Sequence, residues 1–222
     1  PTPTPIMRRL VFVSAALLGC LLFTSGCAVG RRTLPLTVPQ SPGLGTTKGT
    51  VFIGEVADGR HFENKPQLPS TPSIDGDVTS ATKEQLARVI GRQRNAYGGA
   101  LGDIGLPDND TVMSRTRLLI EEGFRRKGYA IGTDPANATA AAVVIDEFWA
   151  WVTPGMWSIS FEANVTCKLT LTKDGNSKTF TVRGYAINKG QAATNPNWQK
   201  AYQAAFDDFL VQFDRTLTNA GL

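Results

Sequence analysis

The sequence predicts an α+β fold: an antiparallel β-meander of three to four strands, two helices packed on one face, and a long loop-rich insertion. Three observations predict it. The stretch WSISFEANVTCKLTLT, residues 157–172, alternates apolar and polar positions without a break, as a strand with one buried face must. Two segments, 111–131 and 195–217, instead repeat their apolar residues at helical spacing. The chain has 222 residues, 41% hydrophobic and 9% aromatic, which suffices for one domain with its own core.

Along the chain, TVFIGEV (50–56) reads as the first strand. From 57 to 111 Pro, Gly, Asp and Ser dominate, so this stretch is expected to be an insertion with one short helix, capped by Thr82 and carrying Leu86, Val89 and Ile90 on one side. In 111–131, Met113, Leu119, Ile120 and Phe124 share a face, Asp110 or Thr111 caps the start, and Gly128 ends the helix. In 195–217 the stripe is Trp198, Tyr202, Ala205, Phe206, Phe209, Leu210, Phe213 and Leu217. Asn195 caps that helix, and Pro196 takes its first position, where a missing N–H costs nothing.

The register of the meander follows from its turns. Asp174-Gly175 supplies a two-residue hairpin loop, which sets Leu169 opposite Phe180, Cys167 opposite Val182, Val165 opposite Gly184 and Ala163 opposite Ala186. Upstream, Pro154-Gly155 fits the centre of a tight turn and sets Val152 opposite Trp157 and Phe148 opposite Phe161. An unbroken strand would bury Asp146. A β-bulge near Asp146–Glu147 returns Ile145 and Val143 to the core. Trp149 and Trp151 then point to the opposite face, where either the insertion covers them or they form a partner surface.

The start of the chain has a different character. Met7 begins MRRLVFVSAALLGCLLFTSGC: two arginines, an apolar run from Leu10 to Phe23, then small residues. The run is short of the ~20 residues of a membrane-spanning helix, and the order of parts is that of a secretory signal peptide. FTSGC resembles the bacterial lipobox, in which small residues precede a cysteine that becomes lipid-modified and N-terminal. Cys27 is the expected lipidation site, with Cys20 in LLGC a rival inside the apolar run. The resemblance implies a diacylglyceryl thioether and an acylated amino group, palmitate-type chains that contribute ~0.8 kcal/mol per buried methylene. Ala28, where lipoproteins retained in the inner membrane commonly carry aspartate, favours the periplasmic face of the outer membrane. The organisation is then a leader over 1–26, a lipidated cysteine and flexible tether over 27–49, and a single periplasmic domain over 50–222. With Cys20 removed and Cys27 acylated, only Cys167 is left, so the mature chain holds no internal disulfide.

A lipoprotein leader, a helix ending in RRKGY, a three-strand meander and a long C-terminal helix together resemble the YajG-type bacterial lipoproteins. The resemblance spans 111–218 and rests on Ser114, Arg115 and the run Arg126-Lys127-Gly128-Tyr129. It implies a small α+β envelope domain with no established enzymatic chemistry.

Composition narrows the function further. The chain has 23 basic and 19 acidic residues; Arg8 and Arg9 fall in the leader and the rest is near balance, which argues against a nucleic-acid partner. His61 is the single histidine, so histidine triads and multi-histidine metal sites are excluded by count. No G-x-S-x-G, Walker A or G-x-G-x-x-G string occurs after Cys27. Asp146, Glu147 and Glu162 are explained by the bulge, and Cys167 by the core. No catalytic residue, metal or cofactor is expected. GRQRNAYGGALGDIGLP (91–107) interleaves Arg92, Arg94 and Tyr97 with glycines, a pattern for an anion- or glycan-binding loop. Arg92, Arg94, Tyr97, Trp149 and Trp151 are therefore the candidate partner surface. The expected function is a membrane-anchored, non-enzymatic binding or structural module of the cell envelope with a protein or glycan partner; the alternative is an auxiliary lipoprotein subunit of envelope lipid or solute transport.

Overall fold

The computed structural model describes residues 30–42, 48–95 and 97–222. The leader and Cys27 lie outside the described residues. From Arg31 onward the chain forms one unit built on an eight-stranded mixed sheet. Its strands are β1 (Arg32–Thr33), β2 (Gly49–Asp58), β3 (Val89–Arg94), β4 (Ala100–Gly105), β5 (Tyr129–Gly132), β6 (Thr139–Pro154), β7 (Ile159–Lys173) and β8 (Asn176–Gly190). The helices are α1 (Lys83–Leu86), α2 (Val112–Arg126) and α3 (Asn195–Asn219).

Four of the seven strand pairings are parallel: β1–β4, β2–β5, β2–β6 and β3–β6. The other three, β3–β4, β6–β7 and β7–β8, are antiparallel. The expected three-to-four-strand antiparallel meander is thus overturned. It accounts for the three long strands, and the strand read at 50–56 is β2, but β3, β4 and β5, with only 6, 6 and 4 residues, are too short or glycine-rich to display alternation. Val89 and Ile90, expected on a helix, belong to β3; α1 is a single turn held by a Thr82–Gln85 capping box.

The long strands follow their chemistry. Asp174 and Gly175 both adopt positive φ, 51° and 77°, as a primed hairpin turn requires, and β7 pairs with β8 in the register that turn dictates, Cys167 opposite Val182 and Val165 opposite Gly184. The β6–β7 connection is wider than expected. Pro154 pairs with Ile159, and Val152 faces Phe161 rather than Trp157. An even shift leaves every side chain on its face, but it moves Trp157 out of the apolar layer into the turn, where it is 85% exposed beside Met156. The bulge falls between Ile145 and Glu147. The core accordingly takes Val143 and Ile145 before it, and Phe148, Ala150 and Val152 after it.

That core is closed by α3, whose Tyr202 and Phe206 rings lie 5.3 and 5.9 Å from Phe148, and whose Trp198 meets Phe161 edge-on at 5.3 Å. Gly184 lets the helix approach β8, since a Cβ there would stand 2.2 Å from the Ala205 carbonyl oxygen. The cap of α3 is Thr194, not Asn195, and makes no side-chain hydrogen bond. In α2, Thr111 and Ser114 exchange the two bonds of a capping box.

β7 occupies one edge of β6 throughout, so its other edge is shared: β2 pairs along 139–145 and β3 at 150–151. Arg60 fills the seam between them. Its guanidinium, fully buried, donates to the carbonyls of Leu86, Val89 and Phe148 and pairs with Asp58 at 2.8 Å. Carbonyls that no strand reaches are satisfied by one side chain.

The tether expected over 27–49 also needs correction. Leu34, Leu36 and Val38 are buried in the core. Arg115 donates to the Leu36 carbonyl, Gln199 to that of Pro35, and the Ser41 amide donates to Glu122. Pro35 and Pro39 suit extended chain at a sheet margin, and their presence hides the alternation of the apolar residues between them.

Candidate functional site

The opposite face of β6 carries Glu147, Trp149 and Trp151, and irregular chain from the 57–111 segment lies over it. Trp149 is 1% exposed. Its indole N–H donates to the Pro69 carbonyl at 3.1 Å, and Phe62 meets it edge-on at 6.1 Å. Trp151 is buried as well and stacks on Tyr185 of β8 at 6.3 Å. Of the two arrangements the sequence leaves open for these indoles, the structure places Trp149 beneath the insertion. A hollow of about 250 Å³ remains beside them, lined by His61, Thr71, Glu147 and Asn164 among others.

The carboxylates of this face are engaged. Asp146 pairs with Lys168 at 3.1 Å. Glu147 accepts from Asn164 and from Thr166, and Glu162 accepts from Tyr185 and Thr153. Burial, and then the hydrogen bond to Glu162, push the Tyr185 phenol up to about 12. Among the described residues no group of three His, Cys, Asp or Glu side chains is placed to hold a metal ion. No helix among them is long and apolar enough to cross a membrane.

The other candidate residues converge on a cleft between 64–77 and the β3–β4 hairpin, about 1040 Å³ in volume. Arg92 and Arg94 line it on one side, Asn64, Ser73, Asp75 and Asp77 on the other, with Tyr97 at the hairpin tip. Arg92 is balanced: Asp75 lies 3.3 Å from one end of its guanidinium and Asp103 3.6 Å from its Nε. Asp103 is almost fully buried; burial holds its carboxyl above the usual range despite the bond it accepts from the Asp75 amide. Arg94 differs. It donates to Ser73 Oγ at 3.0 Å and to the Pro66 carbonyl at 3.3 Å, and among the described residues no carboxylate pairs with it. Its Nε is buried with no hydrogen-bond acceptor. Burial and the neighbouring Arg92 charge together lower its pKa. A half-buried guanidinium beside a second one, facing open space, is arranged to accept an anionic group. Tyr97, 96% exposed, stands at the rim.

No family model matches the chain. No curated protein matches it either. Among solved structures it is similar to a Xanthomonas campestris protein of family DUF330, at 11% identity and TM-score 0.43 over 86% of this chain and 97% of that one. It is similar to an uncharacterized protein at 9% identity and TM-score 0.41, over 84% and 96%. A Helicobacter pylori protein described as a neuraminyllactose-binding hemagglutinin homolog aligns at 9% identity and TM-score 0.39, over 81% and 91%.

The sequence brings Arg92, Arg94 and Tyr97 into one group, and they share the cleft; of the two indoles grouped with them, Trp149 lies under the 57–111 segment, bonded to Pro69, and Trp151 is buried against Tyr185. What it misses are Asp75 and Asp103, which decide that only one of the two arginines is charge-balanced. Asp75, next to Gly76, has the local sequence of a turn, and nothing local marks Asp103 as buried.

Proposed function

We propose that this chain is a periplasmic lipoprotein, anchored through Cys27 to the outer membrane, whose folded unit is a non-enzymatic binding module of the cell envelope. Its site is the Arg94 cleft, and its ligand class is an anionic group of an envelope polymer, a carboxylate or phosphate on a glycan or protein partner. The observation that carries the reading is Arg94 itself, half-buried, without a carboxylate partner among the described residues, and open to the cleft. A charge held this way has lost solvation that an incoming anion can restore.

Titrating the full chain in detergent with an acidic oligosaccharide tests the site. Arg94→Gln is expected to weaken binding by about tenfold or more, the 1.5–3 kcal/mol of a charge-assisted hydrogen bond, while Arg94→Lys retains part of it. Equal affinity in wild type and Arg94→Gln removes the cleft from consideration. Anchoring is tested separately: Cys27→Ser is expected to abolish palmitate labelling and release the chain from the membrane fraction, and label retained by that variant refutes Cys27 as the site.

A further inference from the structure

One end of the sheet gathers three connections and the point where the chain enters the fold. β6 ends there at Pro154 and β7 begins at Ile159. β8 ends beside them, Gly190 facing Ile159, so the 191–194 link to α3 lies at the same end. β3 runs parallel to β6, Arg92 facing Trp151, so the β3–β4 turn that carries Tyr97 reaches this end too. β1 runs antiparallel to β6, because it is parallel to β4 and β4 is antiparallel to β3. Arg31 therefore enters at this end, and Arg32 donates to the Ala193 carbonyl within it.

The most exposed large apolar residues of the described chain cluster in two of these turns: Tyr97 at 96%, Met156 at 88% and Trp157 at 85%. None is explained by packing, since each sits at the tip of a hairpin whose strands are complete without it. The turns and links 95–99, 154–159 and 188–194 contain no Asp or Glu; their one charged residue is Lys189, and Arg31 and Arg32 stand at the entry. The opposite end of the sheet is built differently, with Asp134, Lys173 and Asp174 in its connections.

From these features we infer that this end of the sheet is a membrane-contact surface, on which Trp157, Met156 and Tyr97 seat in the headgroup region of a phospholipid bilayer while Lys189 faces lipid phosphates. Indole and phenol rings prefer that depth, and basic residues near anionic lipid add to the attraction. Chain length selects this occupant over a protein partner. Cys27 is four residues before Arg31, and extended chain spans at most ~3.3–3.6 Å per residue, so an acylated Cys27 keeps Arg31, on the side of the sheet that leads to this end, within roughly 14 Å of its own lipid. This rests on the anchoring reading and adds the orientation of the domain to it.

The test uses the full acylated chain in vesicles of phosphatidylethanolamine and phosphatidylglycerol whose acyl chains carry bromine, a contact quencher of indole emission. Trp149, Trp151 and Trp198 are buried, so Trp157 is the indole within reach. Wild type is expected to be quenched and Trp157→Phe to lose most of that quenching, with Met156→Ser and Tyr97→Ser each reducing it. Palmitate labelling and flotation are scored on the same samples. A labelled, floating chain without Trp157 quenching overturns the membrane-contact surface and leaves the anchor standing. A chain that is not labelled yet shows Trp157 quenching supports the surface and refutes the anchor at Cys27. Absence of both refutes both. Copies crosslinked through Trp157→Cys, together with no bromolipid quenching of the wild-type chain, assign the surface to a second copy of the chain, and also overturn the inference.

Discussion

On one face of β6, Phe148 meets the Tyr202 and Phe206 rings of a 25-residue helix, and Ala150 and Val152 belong to the same core. On the other, Trp149 and Trp151 meet a carbonyl, a ring edge and a neighbouring strand, under chain with little regular structure. Both faces are dry. The helical face is held by interlocking volumes on rigid elements, and the other by a few directed bonds, of which the Arg60 cluster and the Trp149–Pro69 bond are the chief. A helix cannot move one side chain toward a cavity without moving its neighbours; irregular chain can. The same burial should therefore resist change differently on the two sides.

The largest expected effect tests that directly. Phe206→Ala should cost ~5 kcal/mol, the upper end for core aromatics, because α3 is fixed against the sheet by Gly184. Trp149→Ala should cost only ~3 kcal/mol, as the 62–72 segment settles into the space. Urea unfolding of the two variants checks the difference, and equal costs would mean the loop cover is as rigid as the helix.

A smaller effect sharpens the comparison through charge. Asp103 lies on the loop-covered side and its carboxyl is held high by burial. A folded-state value above the unfolded one means the folded protein binds the proton more tightly, so this contribution to stability is present at low pH and is lost as pH rises through the raised value. Relative to Asp103→Asn, the wild type is therefore expected to lose stability as pH climbs out of the ordinary carboxylate range. Unfolding midpoints of both proteins across that range measure it; a wild type that gains on the variant contradicts the assignment. The apolar face should show no such dependence.

The smallest effect compares adjacent residues of β7. Cys167 is buried and its thiol is pushed far above its usual value by burial, while Lys168 next to it points outward. Native protein should react with a maleimide slowly at Cys167 and rapidly at an introduced Lys168→Cys. Similar rates at both positions would mean that β7 is not one-sided.

The two faces also differ in how far the sequence discloses them. The apolar layer is legible because alternation in 157–172, the Asp174-Gly175 turn and the stripe of α3 each constrain it independently, and the bulge at Asp146 follows from the need to avoid a buried carboxylate. The loop-covered side is not legible, for a physical reason: its contacts run from side chains to backbone carbonyls. Arg60, bonded to three carbonyls from separate elements, looks in sequence like any solvated arginine, and Trp149 gives no sign of Pro69. The short parallel strands fail for a related reason. β3 joins the sheet because β6 has a free edge beyond β2, and that edge is a property of tertiary structure. For the cleft, Arg92 and Arg94 are visible as a pair, whereas the aspartates that neutralise one of them come from 75 and 103.

The packing of residues 31–38 has a mechanical consequence. A pull on the chain ahead of Arg31, directed away from the end where it enters, runs along β1. The load falls together on the β1–β4 pairing, the Thr33 and Pro35 carbonyls that accept from α3, and the Arg115 bond at Leu36. Bonds loaded together in shear share the force, whereas bonds peeled from one end break in turn. With Leu34, Leu36 and Val38 seated among the core side chains, tension applied at Arg31 would reach the body of the protein directly.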